Sequence, residues 1–289
     1  MSQRTLSDAQ TLAAPFPALL ADAQQLATTV IFGEHGRRKP GFGDAFWQFR
    51  PAQSGDGFKE IDWRKSARSD DAFVREAEAE IAQTVLFWCD PSASMGFSSS
   101  GETKAYRAQL LTLALAHVLL RGGERVGVTG GGLAARAGTT QLDRLHLFLS
   151  APATQKDYGA PDTSSMLPRS QSVFLSDFLG PLDGVTRALS QAADRGVGGA
   201  ICMILDPQEV DFPFKGRSIF QSMAGSLRYE TQEAADLRTD YAQALEDRIA
   251  TMRNLAKGAG WAFHLHRVDQ SAQAALLWLY QALQQGHAT

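Results

Sequence analysis

Asp90-Pro91-Ser92-Ala93-Ser94-Met95 places one acid and two hydroxyls at alternate positions, directly after the apolar run Thr84-Val85-Leu86-Phe87-Trp88-Cys89. On a tight loop, oxygens spaced this way can turn toward a common point. One carboxylate and two neutral oxygens suit a hard cation such as Mg²⁺, with water completing its octahedron. A second acid, Asp177, follows another apolar run, Ser172-Val173-Phe174-Leu175-Ser176. It can join the set directly or through water. One coordination position is then left for an outside oxygen, such as a carboxylate on a partner. The competing reading is structural, because Asp and Ser ahead of a helix are also ordinary turn and cap residues.

A second cluster lies upstream. Arg64, Lys65, Arg68 and Arg75 stand among Asp56, Asp62, Asp70 and Asp71. Such a density of both signs either pins the segment through a network of ion pairs or forms a docking surface, with Trp63, Arg64 and Arg68 as its anchors. Isolated surface pairs would contribute little stability.

Several familiar chemistries fail on their spacing. Gly96 to Gly101 has the interval of a phosphate-binding loop, but Glu102 stands where its lysine is required. Gly130-Gly131-Gly132 lacks the dinucleotide frame, and no G-x-S-x-G elbow is present. An aspartyl phosphatase needs a second acid two residues after its nucleophile, where this chain has Ser92. His264 and His266 share one face of a strand pattern, which fits a polar face better than a zinc pair without a third ligand. Cys89 and Cys202 sit inside apolar runs and read as core.

The candidate loops need a frame that brings 90 and 177 to one edge. Apolar runs at 84–89, 125–129, 172–176, 200–205 and 261–266 alternate with helical periods at 104–121, 142–149, 185–194, 229–257 and 271–285. Strands alternating with helices predict an α/β fold with a doubly wound, mainly parallel sheet. In such sheets ligands bind beyond the carboxyl ends of the strands. Residues 6–30 have a helical pattern, and 33–80 are rich in Gly, aromatics and charge, suiting short strands and turns.

Composition narrows the classes further. Among 289 residues, 28 Lys+Arg face 31 Asp+Glu for a net charge of -3, so no global basic field for nucleic acid exists. Two cysteines cannot build a disulfide framework. The most apolar window, Ala108 to Leu120, is interrupted by Gln109, Thr112 and His117. It falls short of the roughly 20 residues a bilayer requires, so no membrane span is expected. The first residues lack a continuous apolar stretch of the leader type, and a cytoplasmic location is expected.

Asp90, Ser92, Ser94, Met95 and the later Ser176-Asp177 resemble the metal-ion-dependent adhesion site of von Willebrand factor A domains. The preceding series is more specific. Gly33-Glu34-His35-Gly36, Gly41-Phe42-Gly43, Arg50, Gly55-Asp56, Ile61-Asp62-Trp63-Arg64, Ser66-Ala67-Arg68, Val74-Arg75-Glu76 and Glu80 resemble the signature of the DUF58 family. That family consists of A-domain-like proteins associated with MoxR-type AAA+ ATPases. The resemblance implies a non-catalytic adaptor or scaffold acting with such an ATPase on a client protein. It also implies Mg²⁺ or Mn²⁺ held by Asp90, Ser92 and Ser94, with Asp177 as the second-strand acid. A threonine from an intervening loop belongs to the pattern; Thr163 is the candidate, with Thr139 and Thr140 as rivals. The alternatives are a Mg-dependent phosphoester hydrolase using the same carboxylates, and a structural A-like domain with a metal-free site. The expected organisation is a helical arm at 1–32, a β-rich segment at 33–80 and an α/β domain at 81–289.

Overall fold

Pro17 stands one residue inside helix α1 (Phe16–Gly33), where a missing N–H costs nothing. The computed structural model describes residues 16–33, 46–52, 61–67, 72–77, 82–152, 154 and 156–285. The chain divides into a small unit, Glu34–Ala82, and a large one formed by Met1–Gly33 with Gln83–Thr289. α1 is therefore not a separate arm. Leu19, Ala23 and Ala27, spaced one turn apart on a single face, are buried in the core of the large unit.

The small unit pairs strand β1 (Phe46–Pro51) antiparallel with β2 (Phe73–Ala77), with the short helix α2 (Trp63–Ser66) between them. Asp62 caps α2: its Oδ1 accepts the backbone N–H groups of Arg64 and Lys65 at 3.1 and 2.9 Å. Ser66 donates its hydroxyl to the Asp62 carbonyl and accepts the Phe73 N–H at 2.8 Å, tying helix to strand. The Asp62 part of the charged cluster is thus a cap. Trp63 and Arg64 are exposed, and Arg68 lies outside the described residues.

The large unit holds five parallel strands: β3 (Thr84–Cys89), β4 (Arg125–Val128), β5 (Gln171–Ser176), β6 (Gly198–Leu205) and, after a hairpin, β9 (Ala262–Arg267). Their spatial order is β4-β3-β5-β6-β9. The hairpin is the antiparallel pair β7 (Ser218–Gln221) and β8 (Arg228–Thr231). The helices are α3 (Lys104–Arg121), α4 (Thr140–Leu149), α5 (Asp183–Asp194), α6 (Pro207–Asp211), α7 (Arg238–Gly258) and α8 (Ala272–Gln285). This is the doubly wound α/β architecture expected from the alternating runs.

Side chains alternate across the sheet as the pleat demands. Val85, Phe87, Val173 and Leu175 face a core shared with α1, α3, α4 and α8. Leu86, Trp88, Phe174 and Ile201 face the opposite core, shared with α5 and α7. Both faces being covered explains why these strands read as continuous apolar runs. Helix α3 is buried nearly all round, since it packs on α1, α4 and α8 as well as the sheet.

The strand order puts a topological switch point between β3 and β5. From β3 the chain crosses one face through α3 to β4; from β5 it crosses the other face through α5 to β6. Their carboxyl ends carry Asp90 and Asp177, so the crevice expected of such sheets lies between those acids.

One expected element differs. The long helix placed at 229–257 starts at Arg238, and Tyr229 lies in β8 opposite Phe220. Phe220 stacks on Phe212 at 5.6 Å between centroids and meets Phe214 edge-on at 5.3 Å. That aromatic packing draws the segment into a hairpin. No described helix is long and apolar enough to cross a membrane.

Candidate functional site

Asp90 directly follows β3, with its N–H bonded to the Leu175 carbonyl of β5, so the ladder fixes its depth. Its Oδ1 accepts the Ser92 N–H at 2.9 Å and its Oδ2 accepts the Ser176 hydroxyl at 2.7 Å. Ser92 and Ser94 bring their hydroxyl oxygens within 3.2 Å of each other. All four residues are buried. Burial pushes the Asp90 carboxyl above its usual range, assisted by the nearby Asp177 charge and opposed by the Ser176 and Ser92 hydrogen bonds.

The loop is held by residues 154 and 156–159. Ala93 and Ser94 donate their N–H groups to the carbonyls of Lys156 and Asp157, and Thr154 donates to that of Pro91. Gly159 passes so close that a Cβ there would lie 2.3 Å from Asp90 Oδ1. Only glycine lets this loop roof the acid.

Asp177 is placed differently. Its Oδ2 accepts the Lys104 ammonium at 2.8 Å, and its Oδ1 accepts the Leu179 N–H at 3.2 Å. Lys104, the first residue of α3, is fully buried and also binds Glu209 on α6. Burial favours the neutral amine, but the Asp177 and Glu209 charges outweigh it and raise the Lys104 pKa. Burial raises the Glu209 carboxyl, against the pull of Lys104. Glu209 sits at the third position of a capping box whose cap is Asp206, and Asp206 also accepts the Ser99 N–H at 2.8 Å. The ends of β3, β5 and β6 are thereby linked through side chains.

The family model described as "Protein of unknown function DUF58" matches residues 48–251. The chain belongs to the DUF58 family. Uncharacterized DUF58-like relatives include Rv1480 of Mycobacterium tuberculosis and Mb1516 of Mycobacterium bovis, each 29% identical over 263 residues, covering 86% of this chain and 82% of the relative. Among solved structures, the conserved hypothetical protein BatB from Bacteroides thetaiotaomicron matches with TM-score 0.45 and 17% identity, over 72% of this chain and all of that one. An aerotolerance-related membrane protein from Bacteroides fragilis matches with TM-score 0.42 and 16% identity, over 71% of this chain and all of that one.

In this DUF58 chain, the Ser92–Ser94 separation is close to the edge of an octahedron with Mg–O distances of about 2.1 Å. With Asp90 beneath them, these residues fit a hard divalent ion completed by water. Asp90 and Asp177 each have a chain partner on both oxygens, but those of Asp177 include the Lys104 ammonium, and Thr163 donates its hydroxyl to Gln191 on α5. The structure therefore brings Asp90, Ser92 and Ser94 together, keeps Asp177 beside them as the anchor of Lys104, and engages Thr163 elsewhere. Thr139 precedes α4 and Thr140 opens it.

Sequence reasoning missed Lys104 and Glu209. A signal existed for the first: a lysine in the opening turn of a helix opposes the macrodipole and calls for a compensating acid. Its partners, 73 and 105 positions away, carry no such mark.

The histidines of β9 both have partners within the chain. His264 stacks on Trp278 at 4.7 Å, and His266 Nε2 lies 2.8 Å from an Arg107 guanidinium nitrogen. Burial, helped by Arg107, lowers the His266 pKa to about 3, against about 6.5 in an unfolded chain. As pH falls, the unfolded chain takes up this proton first. The stability contributed by neutral His266 is complete above about pH 6.5 and is lost progressively toward pH 3. At about pH 5 the loss should reach about 2 kcal/mol. Urea unfolding at pH 7.5 and 5 should show this decline in the wild type and a flatter profile in His266→Gln. An equal decline in both chains would assign the pH dependence elsewhere.

Proposed function

We propose that this DUF58 chain is a non-catalytic adaptor that binds a partner at the Asp90–Ser92–Ser94 cluster and works with a MoxR-type AAA+ ATPase in assembling or maturing a client complex. The observation that carries this reading is the cluster itself: two facing hydroxyls above a buried acid at the switch point of a parallel sheet. Neither hydroxyl contacts an imidazole or amine among the described residues, which favours binding over acyl or phosphoryl transfer. The ATPase enters through the resemblance of the 33–80 signature.

Ser92 and Ser94 would hold a Mg²⁺ or Mn²⁺, with Asp90 as the neighbouring charge. Such an ion, when bound, supplies a Lewis-acidic position for a partner's carboxylate. The chain's own residues do the positioning. Ser176 and the Ser92 N–H orient Asp90, the Asp157 carbonyl fixes the Ser94 backbone, and Gly159 lets the chain roof the acid.

The test is co-purification of the tagged full chain with a MoxR-type ATPase, in nucleotide-bound and nucleotide-free states, with and without EDTA. Asp90→Ala and EDTA should each abolish capture. Capture unchanged by both would defeat the metal-bridged reading, even with the fold intact.

A further inference from the structure

Beside the hydroxyl pair, and sharing Ser94 and Asp177 with it, opens a cleft of about 200 Å³. Its walls are aromatic. Phe212, Phe214, Phe220 and Tyr241 form one packed group, with Phe212 and Tyr241 at 4.6 Å and Phe212 and Phe214 at 5.2 Å between centroids. Tyr158 and Phe97 line it as well. Its polar lining includes three carboxylates, from Asp157, Asp177 and Glu209, and no Lys, Arg or His. Lys104 offsets one of these charges from beneath, leaving a net of two negative charges in an aromatic enclosure.

That combination selects its guest. Ring faces attract cations, and the attraction strengthens where water is displaced. Each carboxylate is hydrogen-bonded within the chain, Asp177 and Glu209 to Lys104 and Asp157 to Ser222, Ser226 and the Ala224 N–H, so the selection rests on their net charge, which repels an anion and attracts a cation. The rim points to a polypeptide as the source of the cation. Met223 lines the cleft and is 51% exposed, and the exposed Tyr229 pairs with the lining residue Phe220 across the hairpin. These apolar groups suit the residues flanking an anchor on a partner segment.

We propose that this cleft receives the side chain of an arginine or lysine presented by a basic, partly apolar segment of a partner protein. The inference stands independently of a metal at Asp90, since the carboxylates it uses are the Lys104 partners Asp177 and Glu209 and the Asp157 side chain, which is bonded to residues 222–226.

The probe is the peptide acetyl-Leu-Arg-Leu-amide, titrated to millimolar concentration against the full chain. The methyl resonance of Met223, assigned with Met223→Leu, reports occupancy. The arginine peptide should produce a saturable shift, and its citrulline counterpart, equal in shape but uncharged, should bind at least about tenfold more weakly. Met223→Lys and Met223→Glu, at an exposed position that folding tolerates, lack the reporter methyl and are followed by calorimetric titration; the first should weaken the arginine peptide and the second strengthen it. Asp90→Ala and EDTA should leave this binding unchanged, which separates the cleft from the metal-bridged reading. Equal binding of the arginine and citrulline peptides, preference for a Leu-Glu-Leu peptide, or no saturable shift would each overturn the proposal.

Discussion

Lys104→Met is expected to lower the unfolding free energy by about 3–5 kcal/mol. The side chain is fully buried, and its ammonium is shared by Asp177 and Glu209. Methionine fills similar volume, so the loss measures charge rather than a cavity. Two carboxylates, one of them almost wholly buried, would be left facing each other without a cation. Removing one partner of a buried pair leaves the other's desolvation cost uncompensated, whereas removing both relieves much of it. The double variant Lys104→Met with Asp177→Asn should therefore be more stable than Lys104→Met alone. Urea unfolding of the wild type, both single variants and the double variant closes the cycle. A loss under about 1 kcal/mol for Lys104→Met, with additive effects, would show that the cluster is not coupled.

Phe174→Ala carries the second large effect, about 3–5 kcal/mol. Phe174 is fully buried on β5, two residues before Ser176. Its ring meets Trp88 edge-on at 5.8 Å and Trp261 at 4.7 Å between centroids. Those contacts lock β5 against β3 and against the start of β9, the spacing on which the Ser176–Asp90 bond depends. Phe174→Leu keeps most of the volume and should lose about 1.5 kcal/mol or less. Denaturant midpoints for the two variants test this. Equal losses would mean that the site collapses around either residue and that the aromatic packing does not set the strand spacing.

The positions of β3 and β5 were legible in the sequence because each is buried on both faces. Residues 85–88 and 173–175 are therefore apolar without alternation, and each run stops at an acid-bearing loop. The convergence of Asp90, Ser92 and Ser94 was legible for a local reason: their spacing closes a loop of a few residues. Lys104 was not, because pairing over 73 and 105 positions depends on how strands and helices stack. The β7–β8 hairpin was hidden by four-residue strands with largely exposed side chains, whose acids and Tyr229 continue a helical period. What fixes it is contact of Phe220 with Phe212 and Phe214, visible only in three dimensions. The packing of α1 escaped notice because, among its described side chains, two of the three that are buried are alanines, which carry little hydrophobic signal at helical spacing.

Affinity of the full chain for the MoxR-type ATPase, measured side by side for wild type, Ser92→Ala with Ser94→Ala, Asp90→Ala, and the exposed control Leu147→Ser, bears most directly on the adaptor role. Leu147 is 77% exposed on α4, in a helix separate from the Asp90 cluster. In the presence of Mg²⁺ the two cluster variants should bind at least about tenfold more weakly, a difference of about 1.4 kcal/mol, and Leu147→Ser should match wild type. Equal affinity for all four folded chains would contradict a partner-binding role for Asp90, Ser92 and Ser94.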